Sequence, residues 1–203
     1  MACALLSGTA HTGRELARHV GIAPSTASEH LGHLLAVGLI AVEVQGRHRY
    51  YRLAGREIAD LLETMMVVPA TTAPLPAVPS GLAFARSCYD HLAGELGVRL
   101  HDRFVALGAI AVTTDGATLT ATGRDLLAEM EVGVEHSRTR PAVRQCLDWS
   151  QRRHHLAGAV GARLLAAMTD RRWVYRNGNR LRELRLSEAG RRGLHTHLGI
   201  EIT

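Results

Sequence analysis

At 203 residues with 46% hydrophobic content the chain can build two small domains or one of ordinary size, and Ala, Leu and Val must carry the cores because aromatic residues make up only 4%. No run is long and apolar enough to span a bilayer, the N-terminus lacks the charged region and apolar core of an export signal, and three cysteines do not make a disulfide framework, so a cytoplasmic protein is expected. The formal charge of +5 comes entirely from Arg and is uneven: residues 1–136 carry 10 Arg against 14 acids, residues 137–203 carry 14 against 5.

After a short opening helix over MACALLSG, Thr12 with Glu15 three residues on forms a capping box that starts a helix, with Leu16 and Val20 four apart on its inward face. Gly21 ends it, and Pro24 suits the first position of a second helix reaching about Val37, because the N–H that proline lacks would have had no partner there. Ala27, Leu31 and Leu34 recur at helical spacing and face the first helix, leaving Ser25, Thr26, Ser28, Glu29 and His33 outward or sideways. Small hydroxyl side chains at that end suit a helix that lies against base edges and phosphates. Beyond Gly38, residues 39–44 read as a strand, Gln45-Gly46 as a tight turn and residues 47–53 as the returning strand, with Arg47 and Arg49 at the tip in reach of a DNA backbone.

The run ELARHVGIAPSTASEHLGHLLAVGLI…GRHRYYRL resembles the ArsR-type winged-helix repressors in its turn, its P-S-T-x-S-x-H-L helix, its L-x-x-x-G-L-I exit and its arginine-rich wing. The resemblance covers about the first third of the chain and implies a homodimer binding double-stranded DNA. Members of that family usually carry a longer leading helix that helps to form the dimer. Here either the true start lies upstream or another element substitutes, and the helix after the wing offers Ile58, Leu61, Leu62, Met65 and Met66 for that seam or for packing on its own domain. The family's usual metal-sensing positions are vacant of ligands: residues 15–20 lack the Cys-x-Cys pair, and residues 56–66 contain no His or Cys.

Residues 67–81 hold four of the six prolines and no charge, which predicts a stiff linker between a winged helix-turn-helix domain at 1–66 and a C-terminal sensor and dimerisation domain at 82–203. The second domain contains an internal repeat. Cys88-Tyr89-Asp90-His91-Leu92-Ala93-Gly94 returns as Cys146-Leu147-Asp148 and, after six extra residues, His155-Leu156-Ala157-Gly158. Each copy continues into an amphipathic helix, a hairpin turning at Asp115-Gly116 or Asn177-Gly178, and a helix capped at Thr120 or Ser187. The expected fold is mainly α with small β-hairpins (α+β), the C-terminal domain being two helix–hairpin–helix halves, 82–130 and 141–198, about a pseudo-twofold axis.

If the halves pack as copies, Cys88, Asp90 and His91 meet Cys146, Asp148 and His155. Cys with His suits zinc or another soft transition metal, and two thiolates alone suit a trivalent metalloid. A redox-sensitive thiol pair, aided by Arg86 and Arg144 two residues ahead of each Cys, is a second reading. Small buried side chains with His–Asp pairs pinning the helices are a third, since Cys and Asp two apart on a helix point about 200° apart. Trp149, Arg152 and Arg153 in the insertion could also wall a small-molecule effector pocket. No catalytic motif is present, so an enzyme is not expected. The function implied is a transcriptional regulator, a repressor on a palindromic operator with its signal entering through the C-terminal domain. The alternative is a metal- or thiol-binding protein whose helix-turn-helix makes protein contacts.

Overall fold

The Thr12 capping box starts the first helix: the Glu15 N–H donates to the Thr12 hydroxyl at 3.3 Å and the Thr12 N–H to the Glu15 carboxylate at 2.7 Å. The computed structural model describes residues 1–67, 78–113, 116–133, 140–178 and 180–202. Helix α1 (Gly13–Val20) ends at Gly21, whose φ of 75° is left-handed, and α2 (Pro24–Ala36) follows with Pro24 in its first turn. Leu16 and Ala17 of α1 and Ala27 and Leu31 of α2 are buried, with Leu34 half-buried on the same core. Val20, expected to face inward, is 42% exposed. A helix of two turns buries its middle, and its last residue lies past the packed surface.

The wing is β2 (Ile40–Gln45) and β3 (His48–Leu53), and a two-residue strand β1 (His11–Thr12) adds to β3, giving the order β1-β3-β2. Helix α3 (Arg56–Val67) splits the apolar stripe expected of it. Ile58, Leu62 and Met66, four apart, pack on the N-terminal core, while Leu61 and Met65 are 50% and 61% exposed one column over. Of the linker expected over 67–81, residues 68–77 lie outside the described residues, and from Ser80 the chain is helical, α4 (Ser80–Phe84).

The repeat is then laid out as β4 (Arg86–Cys88), β5 (His91–Ala93), α5 (Glu95–Ala106), β6 (Ile110–Thr113), β7 (Gly116–Leu119) and α6 (Ala121–Glu129). The second copy is β8 (Arg144–Leu147), β9 (His154–Ala157), α7 (Gly158–Asp170), β10 (Val174–Asn177), β11 (Arg180–Leu186) and α8 (Glu188–Leu198). The fold is therefore mixed α+β, and each helix–hairpin–helix half is preceded by one more hairpin. The Cys-Asp-His segments, placed on helices from the sequence, form those extra hairpins. Asp115, read as a turn residue, lies outside the described residues. Thr120 and Ser187 cap α6 and α8 alike, each hydroxyl accepting from the N–H three residues on at 3.0 Å.

The halves interlock reciprocally: α5 lies on β9 and α7 on β5. Glycine makes this approach possible at matched positions. A Cβ on Gly97 would meet the Leu92 carbonyl and, at 3.5 Å, the His155 Cβ; one on Gly161 would meet the Leu156 carbonyl and, at 3.2 Å, the His91 Cβ. A four-stranded sheet in the order β10-β11-β4-β5 sews the second half's wing to the first half's hairpin, and one apolar core runs through both halves. The opening helix packs on this body, the Leu6 carbonyl accepting from the Tyr89 N–H at 2.7 Å and the Ser7 carbonyl from Arg176 at 2.9 Å.

Candidate nucleic-acid interface and buried Cys/His centre

On α2 the side opposite Ala27 and Leu31 carries Ser25, Thr26, Ser28, Glu29 and His33, all exposed. Arg47 and Arg49 are exposed at the wing tip, where the β2–β3 register sets Arg49 across from Val44. Between helix and wing runs a groove of about 310 Å³ lined by Thr12, Gly13, Arg14, Pro24, Ser28, Arg47, His48 and Arg49. Arg14 belongs to none of the sequence motifs above. Its signal was its place two residues before the inward Leu16, which turns it outward in the first turn of α1.

The second cluster is buried. In β4–β5 the Cα partners are Cys88 and His91, and in β8–β9 they are Cys146 and His155. Residues directly opposite on antiparallel strands share one face, so each hairpin presents a thiol beside an imidazole. Of the six extra residues of the second copy, Trp149–Arg153 fall in the hairpin loop and His154 opens β9, and the Cys146–His155 register is left intact. The two hairpin faces meet with Sγ of Cys88 and Cys146 4.0 Å apart and the rings of His91 and His155 stacked at 5.1 Å. One ligand atom from each of the four residues lies within 4.8 Å of all the others. Ala93 and Ala157, both buried, pack against the thiols. The contact between the sulfurs, reinforced by burial, pushes the Cys88 thiol up, and the same contact, with both imidazoles, holds Cys146 down against burial.

The two aspartates stand just outside. Asp90 Oδ1 is 3.1 Å from Nδ1 of His91, and Asp148 Oδ2 is 3.6 Å from Nδ1 of His155. Nε2 of His91 and both ring nitrogens of His155 are buried without a hydrogen-bond partner. Burial opposes ionisation of Asp148, but Arg86 at 2.7 Å, the Gly94 N–H at 2.7 Å and Ser150 hold its carboxyl well below the usual range. Asp90 is likewise lowered, against burial, by His91, Arg140 and Arg56. Burial would lower His91, and the Asp90 carboxylate and the Cys146 sulfur raise it on balance. Arg86 and Arg144, expected to favour thiolates, are instead paired with carboxylates: Arg86 with Asp148, Arg144 with Asp60 at 2.5 Å. Trp149, read as a ligand platform, lies 4.5 Å from the Arg86 guanidinium, and Arg153 pairs with Asp102 at 2.7 Å.

The strands bearing the centre are tied to α3. Arg56 pairs with Asp90, Asp60 with Arg144, and Glu63 with Arg182, whose Nε also donates to the Ser87 carbonyl at 3.1 Å. Residues 56, 60 and 63 occupy one face of the helix. Long-range ion pairs of this kind carry no periodic signal, and the sequence did not reveal them.

Among the described residues no helix is long and apolar enough to cross a membrane. No family model and no solved structure matches the chain. It is 38% identical over 208 residues to the uncharacterized HTH-type transcriptional regulator YdfF of Bacillus subtilis, an alignment covering 98% of this chain and 90% of that one. It is also 38% identical over 76 residues to the HTH-type transcriptional regulator CmtR of Mycobacterium tuberculosis and of Mycobacterium bovis, covering 37% of this chain and 64% of CmtR. A likeness that runs nearly end to end takes in both the exposed helix and the buried centre. The chain belongs to the HTH-type transcriptional regulators.

Proposed function

We propose that the chain is an ArsR-type winged-helix repressor, a homodimer on a palindromic operator, with its signal received in the C-terminal half at the buried Cys/His centre. The observation that carries this is the free outer face of α2 beside an arginine-tipped wing. Ser25, Thr26, Ser28, Glu29 and His33 approach bases, while Arg47, Arg49 and Arg14 hold phosphates. The partial match to CmtR supports the ArsR-type assignment. Leu61 and Met65, exposed on α3, are where we place the second copy. Two such domains would reach half-sites about one helical turn apart.

The test is retention of DNA from the protein's own upstream region at increasing salt. Changing Arg47 and Arg49 to Ala in a dimer removes four charges, so the magnitude of the salt slope should fall by roughly 3 to 4 units. An unchanged slope would take the wing off the DNA. Failure to retain any upstream fragment would favour the other reading, a helix-turn-helix used for protein contacts.

A further inference from the structure

We propose that Cys88, His91, Cys146 and His155 form a four-coordinate site for a divalent transition metal of the zinc class, with Asp90 and Asp148 as positioning residues for the two imidazoles. The donor set selects the metal class. Thiolate and imidazole are ligands for borderline and soft ions, whereas calcium and magnesium take oxygen. A trivalent metalloid would use the two sulfurs and leave both imidazoles buried and unpaired.

The geometry is close to that of a loaded site. Zinc–sulfur and zinc–nitrogen bonds of about 2.3 and 2.0 Å put tetrahedral ligands roughly 3.3–3.8 Å apart, and here the ligand atoms already lie within 4.8 Å, with the sulfurs at 4.0 Å. Small rotamer shifts suffice. The orphaned nitrogens point the same way: a buried ring nitrogen without a partner costs stability, and Nε2 of both His91 and His155 is in that condition. Nδ1 of His91 bonds the Asp90 carboxylate at 3.1 Å, the arrangement that fixes the tautomer with its lone pair on Nε2, where a metal would be bound, and Nδ1 of His155 lies 3.6 Å from Asp148, a small shift short of the same bond.

Charge agrees. Two thiolates balance one divalent ion, while Asp90 is already balanced by Arg56 and Arg140, and Asp148 by Arg86. A disulfide between Cys88 and Cys146 would remove the thiol pair and leave both imidazoles without a partner. Four protein ligands in a buried site leave no open coordination position, which suits a structural or sensing ion rather than a catalytic one.

As the input of a repressor, the centre rests on the function proposed above; as a metal site it does not. Through Asp90, Arg144 and Ser87, each next to or two residues from a ligand, the two hairpins are tied to Arg56, Asp60 and Glu63 on α3, and α3 packs on β3 of the wing. Drawing the hairpins together on a metal therefore pulls on the element beneath the wing.

Cobalt(II) added to the reduced, untagged, chelator-treated full chain is the probe. One equivalent per chain should bind, with thiolate-to-cobalt charge-transfer absorption and the intense visible bands of a tetrahedral ion, and zinc should displace it. C88S and C146S should each lose the charge-transfer absorption. D90N should keep the stoichiometry while weakening affinity by about 10- to 100-fold, the usual effect of removing a carboxylate behind a ligating His. Should the serine variants not fold, X-ray absorption of the zinc-loaded wild type decides, two sulfur and two nitrogen donors being expected. Absence of thiolate–cobalt absorption in the wild type, or a shell without sulfur, overturns the site. The same preparations are tested for retention of upstream DNA. A cobalt spectrum without DNA retention supports the centre and removes the repressor; DNA retention without a cobalt spectrum does the reverse.

Discussion

The two Cys–His hairpins present the same chemistry and are covered in different ways. In the second copy Asp148 is fully buried, by its own loop and by the first copy together: its Oδ1 accepts from Ser150 N and Oγ and the Gln151 N–H of the loop and from Arg86 of β4, its Oδ2 from the Gly94 N–H, and Trp149 lies over Arg86. The first copy has only the two-residue turn Tyr89-Asp90, with Tyr89 left-handed at φ 57°, and Asp90 stays 27% exposed. Its cover comes from elsewhere: Leu6 accepts from the Tyr89 N–H, and Arg56 and Arg140 pair with Asp90. The insertion of the second copy and the N-terminal residues thus each help to cover one hairpin of the centre. The helix-turn-helix and wing are attached where the first hairpin does not cover itself, which puts α3 in ion-pair contact with the strands of the centre.

The largest expected effect comes from breaking the fully buried pair that joins the second hairpin to β4. Arg86 and Asp148 have side-chain exposures of 0%, so Arg86→Met leaves a carboxylate buried without its cation. The expected loss is about 3–5 kcal/mol by denaturant unfolding. It should sit toward the low end, because the Gly94, Ser150 and Gln151 donors still reach Asp148. A loss below about 1 kcal/mol, the range of an exposed pair, would show that the second hairpin is not held by this pair.

Gly97→Ala and Gly161→Ala test the shared part. Each new Cβ would lie closer than 3.0 Å to a carbonyl of the preceding strand, Leu92 or Leu156, and within contact of the opposite histidine's Cβ. Overpacking of this kind costs roughly 1–3 kcal/mol. If the halves are true copies, the two variants should lose similar amounts in unfolding and weaken cobalt binding alike; an effect confined to one would end the symmetry argument.

The legible part of the molecule is the part governed by local rules. Thr12 with Glu15, Pro24, and the Ala27, Leu31, Leu34 spacing placed α1 and α2 within a residue or so, because capping and helical periodicity act over one or two turns. The repeat was also visible, and four of its six singled-out side chains converge. The strands that make them converge were not. Segments of three or four residues such as β4 and β5 show no alternation, and both faces are buried, so Cys88 and His91 looked like helix positions when they are cross-strand partners. Asp90 and Asp148 share the repeat's spacing with the four converging residues, and spacing alone does not tell a side chain in the centre from the carboxylate behind it. The α3 contacts were invisible for another reason: Asp60 to Arg144 and Glu63 to Arg182 join residues far apart in the chain, through charges that look like any solvated face.

Next in size are the caps of the two equivalent helices. Thr120→Ala and Ser187→Ala each remove one hydroxyl that accepts from an N–H at 3.0 Å. Each should cost about 1 kcal/mol in unfolding. Thr120 also donates to the Gly108 carbonyl at 2.7 Å and Ser187 to the Arg172 carbonyl at 2.8 Å, so the two losses should again be close.

The smallest effect on stability should come from Arg56→Ala, on the side covered by the N-terminal domain. Arg56 and Asp90 have side-chain exposures of 25% and 27%, and Asp90 keeps Arg140 at 3.0 Å, so the loss should stay within about 1 kcal/mol. Its consequence should lie in communication. With Arg56 gone, α3 keeps its ties through Asp60 and Glu63 but loses the one beside His91. Cobalt affinity and metal-free DNA affinity should then match the wild type, while the change in DNA affinity on metal loading shrinks, as gel shifts with and without zinc would measure. An undiminished metal response in the Arg56 variant would mean that Arg144 and Arg182 alone link the centre to the helix, leaving the Asp90 side as cover only.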